Sequence, residues 1–272
     1  MIDAYDELEM RLLLDAIYER FQYDFRQYGM ASVRRRLRQA SQALDCDTLS
    51  ALQARVLHDP SSFTTLLQFL TVQVSDFFRD PGYFRGFRER IVPVLRTYPS
   101  LKLWVAGCSS GEELYSFAIL LREEGLLDKT ILYATDINPE ALEAAEAGIY
   151  PMDRVKAFTQ NHQASGAPCS LATYYTAKYG SAVFDRSLRK NVVFADHSLA
   201  TDAVFAEMQI VSCRNVLIYF ERALQDRAIG LFRDSLCLRG FLGLGAKESL
   251  RFSGHEPDFD VFMRDERWYQ RR

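Results

Sequence analysis

The stretch Leu101–Tyr115, LKLWVAGCSSGEELY, decides the fold. Leu101, Leu103, Val105 and Ala106 fit a buried strand, Gly107 to Gly111 form a small-residue turn, and Leu114 to Leu121 continue as an apolar helix. A strand, a glycine turn and a helix in that order open a nucleotide-binding α/β sheet. In phosphate binders the helix start attracts an anion through its free N–H groups, so Glu112 and Glu113, placed there, would repel a pyrophosphate. The two carboxylates suit a ligand with an adenosine, a cationic centre and no phosphate, which describes S-adenosylmethionine. By itself the segment also fits a tight turn with no ligand, since Gly107-x-x-x-Gly111 is not the G-x-G-x-x-G fingerprint.

The next segments favour the ligand. Thr130–Asp136, TILYATD, is a second apolar strand, and Asp136 stands where doubly wound folds place the carboxylate that accepts hydrogen bonds from ribose hydroxyls. Asn138-Pro139-Glu140 reads as cap, first-turn proline and first-turn acid of a helix that stops at Gly148. Asp136 could cap that helix instead, but Asn138 already occupies the capping place.

Composition predicts a soluble intracellular protein. The chain has 272 residues, 48% hydrophobic and 25% charged, enough for one large domain and a small one. A formal net charge of −3 gives no global attraction to nucleic acid or to an anionic membrane. The acidic start, MIDAYDELEM, lacks the basic and apolar regions of a signal peptide, which predicts a cytoplasmic location. The long uncharged run at 157–177 is rich in Gln, Asn, Ser, Thr, Gly and Pro, so it is expected to be a loop and not a membrane span. Cys46, Cys108, Cys169, Cys213 and Cys237 contain no C-x-x-C pair and are odd in number, which predicts reduced thiols and no metal site.

Residues 1–75 carry helical periodicity only, with Leu8, Leu12, Ala16 and Ile17 on one face of the first segment; a bundle of about four helices is expected. Residues 76–99 are expected to link this domain to an α/β domain at 100–272, with the connector Asp80-Pro81-Gly82 leading through a mixed helix to Pro93 and Pro99. Further strands are expected at 191–195, 208–213 and 241–245, and Asp265-Glu266 signals a terminal hairpin. A mostly parallel sheet finished by an antiparallel hairpin is the shape of a class I methyltransferase.

Four blocks together carry a resemblance: Thr71-x-x-x-Ser75-x-Phe77-Phe78-Arg79, Ser109-Ser110-Gly111-Glu112-Glu113-x-Tyr115-Ser116, Ala134-Thr135-Asp136-Ile137, and Cys213-Arg214-Asn215-Val216-x-Ile218-Tyr219-Phe220. In order and spacing they resemble the CheR family of chemoreceptor glutamate methyltransferases. The resemblance implies an all-α domain, a class I methyltransferase sheet, and a small β subdomain inserted at about 153–190. It implies S-adenosylmethionine as cofactor and S-adenosylhomocysteine as product. It also implies that Ser75 and Arg79 lie by the methionine end of the cofactor, Arg79 also at the reacting centre, Glu112 near the amino acid moiety and Asp136 at the ribose. Ser198 and Leu199 would flank the adenine, Gln73, Gly107 and Ile137 would also border the cofactor, and Asn215 and Tyr219 would line the place where the methyl group passes. The family usually has Asn, Thr and Asn where this chain has Gln73, Ser75 and Ser198; only the last exchange removes the functional group.

The chemistry fits. A glutamate is ionised near neutral pH, so no general base is required. A guanidinium offers a planar fork for aligning a carboxylate, and Arg79 is the candidate. Arg34, Arg35 and Arg38, in SVRRRLR on a predicted helix, present a basic face that is usually just solvated but suits docking to the acidic helical bundle of a receptor. Family members that tether to a C-terminal receptor pentapeptide have a glycine-rich loop in the β subdomain. The matching segment here, 175–183, is short and holds only Gly180, so pentapeptide binding is not expected, and the protein is expected to be a monomer. The remaining alternatives are a non-catalytic cofactor-binding adaptor and, disfavoured by the carboxylates of the first turn, a nucleotide-dependent oxidoreductase.

Overall fold

The computed structural model describes residues 4–272, so the first three residues of the expected N-terminal domain lie outside the described ones. The chain divides into two units. One comprises residues 1–73, 198–202 and 219–228, the other 74–197, 203–218 and 229–272.

The helical unit contains α1 (Ala4–Phe21), α2 (Met30–Ala43), α3 (Leu49–His58) and α4 (Pro60–Leu70). Thr48 and Asp59 cap α3 and α4 by accepting backbone N–H bonds from Ala51 and Ser61, and Pro60 starts α4 where its missing donor costs nothing. The buried face of α1 is Met10, Leu13, Leu14 and Ile17, while Leu8 and Leu12 are 44% and 47% exposed. The expected apolar face was therefore rotated: a 3.6-residue period also fits the 10, 13, 14, 17 series, and that series packs the core.

The α/β unit is built on the predicted strand. β1 (Leu101–Ala106) lies between β2 (Thr130–Asp136) and β7 (Met208–Cys213), parallel to both, with Leu101 opposite Thr130 and Leu103 opposite Ile210. The remaining strands are β3 (Ile149–Pro151), β4 (Tyr175–Lys178), β5 (Ser181–Phe184), β6 (Val192–Asp196), β8 (Leu236–Leu244), β9 (Phe259–Met263) and β10 (Trp268–Arg271). The large sheet runs β6-β2-β1-β7-β8-β10-β9, with β10 antiparallel to β8 and β9. This is the strand order of a class I S-adenosylmethionine methyltransferase. A separate antiparallel sheet, β3-β5-β4, closes through a tight turn at Tyr179 and Gly180, both at positive φ.

α7 (Glu112–Glu123) follows β1 and buries residues on every side, and α8 (Pro139–Ala147) follows β2 with Asn138 as its cap and Gly148 at φ 64° ending it. The last helices are α9 (Met152–Ala164) and α10 (Arg222–Ser235).

The mixed helix expected within residues 76–99 is present: α5 (Pro81–Gly86), a π-helical turn (Phe87–Ile91) and α6 (Val92–Leu95) bury Tyr83, Phe84 and Phe87 against Phe117 and Trp268. Two further expectations are corrected. The uncharged run at 157–177 is helical in its first part, because α9 continues to Ala164 with Phe158 and His162 buried. And β8 begins five residues before the expected start at 241, directly after α10.

Candidate active site

β1 ends at Ala106 and the chain turns through Gly107, Ser109 and Gly111, at φ 72°, 51° and 92°. Side chains would fit poorly at both glycines: a Cβ on Gly107 would lie 2.5 Å from Val216, and one on Gly111 would lie 2.9 Å from Ala145. The turn is hooked onto the end of β2, since the Gly107 and Cys108 N–H groups donate to the Thr135 carbonyl at 2.8 and 2.9 Å.

Asp136 finishes the hook. One carboxylate oxygen accepts the Ser109 N–H at 2.8 Å and the other the Asn138 N–H at 3.0 Å. Burial pushes its pKa above the ordinary aspartate value, against the pull of these N–H donors. The Asn138 side chain meanwhile accepts from Glu140 and Ala141, so capping α8 does not fall to Asp136.

Glu112 is the first residue of α7 and fully buried. Its carboxylate accepts from Ser110 Oγ at 2.7 Å and from Arg154 Nη1 at 3.0 Å, and burial raises its pKa despite both donors. Arg154, on α9, also reaches Asp76 Oδ1 at 2.9 Å and the Ser75 carbonyl, with its guanidinium 4.9 Å above the Phe158 ring. One cation thus joins Ser75 and Glu112, which are 37 positions apart in sequence (112 minus 75). Nothing in the pattern around Arg154 marked it.

Glu113 faces another way. It accepts from Ser212 Oγ at 2.6 Å and from Arg214 Nη1 at 3.1 Å. Arg214, 1% exposed in its side chain, donates through Nη2 to Asp80 at 2.6 Å and to the Arg79 carbonyl at 2.8 Å. The backbone of Arg79 is pinned in this way while its guanidinium makes, among the described residues, a 3.3 Å bond to the Val74 carbonyl and no ion pair. Asp76 and Asp80, its sequence-near acids, are engaged by Arg154 and Arg214.

Asn215 begins the turn after β7 at φ 59°. Glu248, buried and unmarked by sequence pattern, holds that turn: its carboxylate accepts N–H bonds from Asn215 at 3.0 Å, Ile218 at 3.3 Å and Gly245 at 2.7 Å. Burial raises its pKa as well. Ile137 follows Asp136, between β2 and the cap of α8.

The other candidates belong to the helical unit. Gln73 ends its first segment. Ser198 forms a small turn in which its N–H donates to Asp202 at 2.8 Å and its Oγ accepts from Ala200 at 3.2 Å, and the buried Leu199 offers its carbonyl to Arg227. The Tyr219 carbonyl accepts the Gly29 N–H at 2.8 Å, and the Arg36 guanidinium lies 4.8 Å from its ring. Of the basic run, Arg38 pairs with Asp6 at 2.6 Å and Arg34 lies 3.9 Å from the same acid, whereas Arg35 is exposed.

An aspartate ending β2 and an acid opening α7, both buried and both with raised pKa, beside a turn whose two glycines leave no room for a side chain, fit an adenosine carrying positive charge. Among the described residues no cluster of His, Cys, Asp or Glu is built to hold a metal ion, and no helix is long and apolar enough to cross a membrane.

Comparison with known proteins agrees. Residues 73–266 match the CheR methyltransferase SAM binding domain and residues 8–71 the CheR methyltransferase all-alpha domain. A Pseudomonas putida protein named as methyltransferase Cher3 is 57% identical over 97% of both chains. The chemotaxis protein methyltransferase of Listeria innocua is 32% identical over 68% of both chains, and chemotaxis protein methyltransferase 2 of Pseudomonas aeruginosa is 29% identical over 74% of this chain and 69% of its own. With both domains matched along nearly its whole length, the chain belongs to the CheR family of S-adenosylmethionine-dependent methyltransferases.

Proposed function

We propose that this protein methylates glutamate side chains on the cytoplasmic helical bundle of a chemoreceptor or a similar signalling protein, working in the cytoplasm. The observation that supports this most is Arg79. Its main chain is fixed by Arg214 and its neighbouring acids are occupied, so the guanidinium is left with a single weak backbone contact among the described residues. A fork of donors held ready in this way suits a carboxylate that arrives from outside.

S-adenosylmethionine supplies a methyl group on a sulfonium centre. Joining that cation to a carboxylate gives neutral products, so water stabilises the reactants more than the transition state, and a poorly hydrated site accelerates transfer. Alignment is then the protein's task, and it is worth about 7–11 kcal/mol when reactants are held in line. In this reading Glu112 takes the charge at the amino acid end, Asp136 the ribose, Ser75, Gln73, Gly107 and Ile137 border the cofactor, Ser198 and Leu199 flank the adenine, and Asn215 and Tyr219 border the reacting centre. Arg79 orients the glutamate. Arg34, Arg35 and Arg38 serve as the docking face, with no requirement for a receptor pentapeptide.

The test is incubation with methyl-labelled S-adenosylmethionine and membranes bearing chemoreceptors. Base-labile label on receptor-sized bands is expected, because methyl esters hydrolyse in alkali. Label that survives alkali, or none, would exclude glutamate esters.

A further inference from the structure

α2 carries four arginines within five residues, Arg34, Arg35, Arg36 and Arg38, and they do not share one environment. Arg36 points inward and is 6% exposed. A buried guanidinium is expensive unless a carboxylate compensates it. Among the described residues Arg36 has no acidic partner: Nη1 donates to the Leu70 carbonyl at 2.8 Å, and the cation faces the Tyr219 ring at 4.8 Å. Burial lowers its pKa, and the phenols of Tyr219 and Tyr28 oppose that shift. An apolar side chain would fill the same space without the desolvation cost.

The main chain around Tyr219 is already fixed. Gly29 donates to its carbonyl at 2.8 Å, Glu221 donates to the Gln27 carbonyl at 2.8 Å, and Tyr28 bridges Phe220 with the two rings 4.8 Å apart. These main-chain bonds do not set the rotation of the Tyr219 side chain, and a cation held against the ring restrains it.

We propose that Arg36 is a positioning residue for the methyl-transfer step, acting by holding the ring of Tyr219 in one orientation. The proposal rests on the placement of Tyr219 at the reacting centre. It also puts the proposed docking face and the support of Tyr219 on a single helix, α2.

A double-mutant cycle tests it, with turnover on receptor-bearing membranes, calorimetric affinity for S-adenosylmethionine and thermal melting as readouts. Arg36→Met is expected to lower kcat about tenfold or more, with cofactor affinity unchanged within about twofold. Arg36→Lys keeps a donor for the Leu70 carbonyl and is expected to recover part of the loss; it also carries the cycle if Arg36→Met does not fold. In a Tyr219→Ala background either change is expected to have less than about a twofold further effect, because the residue it acts through is gone. Losses that multiply across the two sites would overturn the proposal in favour of a purely structural Arg36, as would an Arg36 variant with wild-type kcat. Full turnover in Tyr219→Ala would overturn it together with the role of Tyr219. Wild-type protein that transfers no base-labile methyl group would instead remove the reaction itself.

Discussion

Arg154 Nη1 lies 3.0 Å from Glu112 Oε1, and the pair ties the start of α7 to the Ser75 carbonyl and Asp76. Burial raises the Glu112 pKa, so its carboxylate is the form that a cationic ligand must win. A ligand that prefers the ionised form binds fully above that raised pKa and is lost as pH falls through it. Affinity for S-adenosylmethionine is therefore expected to start weakening at a higher pH than an ordinary glutamate would give. Glu112→Gln should weaken S-adenosylmethionine about tenfold at neutral pH and show a shallower pH dependence, while methylthioadenosine, which lacks the amino acid end, changes little. Equal losses for both ligands in calorimetry would place Glu112 elsewhere.

Arg79→Ala should leave melting nearly untouched, within about 0.5 kcal/mol, because the side chain supports so little of the fold. Methyl transfer to receptor membranes should fall at least about a hundredfold. A variant with half of wild-type turnover would contradict the role given to it.

Glu248→Ala should destabilise the protein by at least about 2 kcal/mol, since it takes the shared acceptor from the N–H groups of Asn215, Ile218 and Gly245, the last of them buried. Urea unfolding is the measurement, and a loss under about 0.5 kcal/mol would show that the turn holds itself.

Arg35→Glu should raise the Michaelis constant for receptor more than Arg38→Glu, because Arg38 is already paired with Asp6, whereas Arg35 is exposed and makes no ion pair among the described residues. Both effects should fade as salt rises, with affinity for S-adenosylmethionine constant. Salt-independent kinetics would leave the basic run without a docking role.

Gly107→Ala should weaken S-adenosylmethionine binding and lower the melting point together. Its φ of 72° disfavours a side chain by about 1 kcal/mol. The new methyl group would also press on Val216. Wild-type affinity in calorimetry would show that the turn can relax.

What was legible in the sequence was what the chain decides locally. The Leu101–Ala106 strand, its glycine turn, the 130–136 strand and the Asn138 cap follow from neighbours within a few residues, and they appear with those boundaries. The partners of Arg154, Arg214, Glu248 and Arg36 were not legible. Each works through a partner 30 or more positions away, such as Arg36 with Leu70 or Glu248 with Ile218, and a charged residue gives no periodic signal of which distant group it meets. The basic run shows the same limit: Arg36 lies with Val33 and Leu37 on the buried face of α2, and nothing in the run says which group it meets there. The helix within segment 76–99 was legible, since a proline such as Pro81 opens a helix as readily as it ends one.

The arginine between Glu113 and Asp80 has a consequence for how this sequence can drift. Arg214 is buried, and Glu113 and Asp80 together balance its charge. Loss of Glu113 alone would leave a desolvated cation, balanced only by the half-exposed Asp80, that also holds the main chain of Arg79, and loss of Arg214 alone would leave Glu113 facing Ser212 without that countercharge. Neither change is neutral by itself. In a lineage of such enzymes an exchange at position 113 is therefore expected to come with an exchange at position 214.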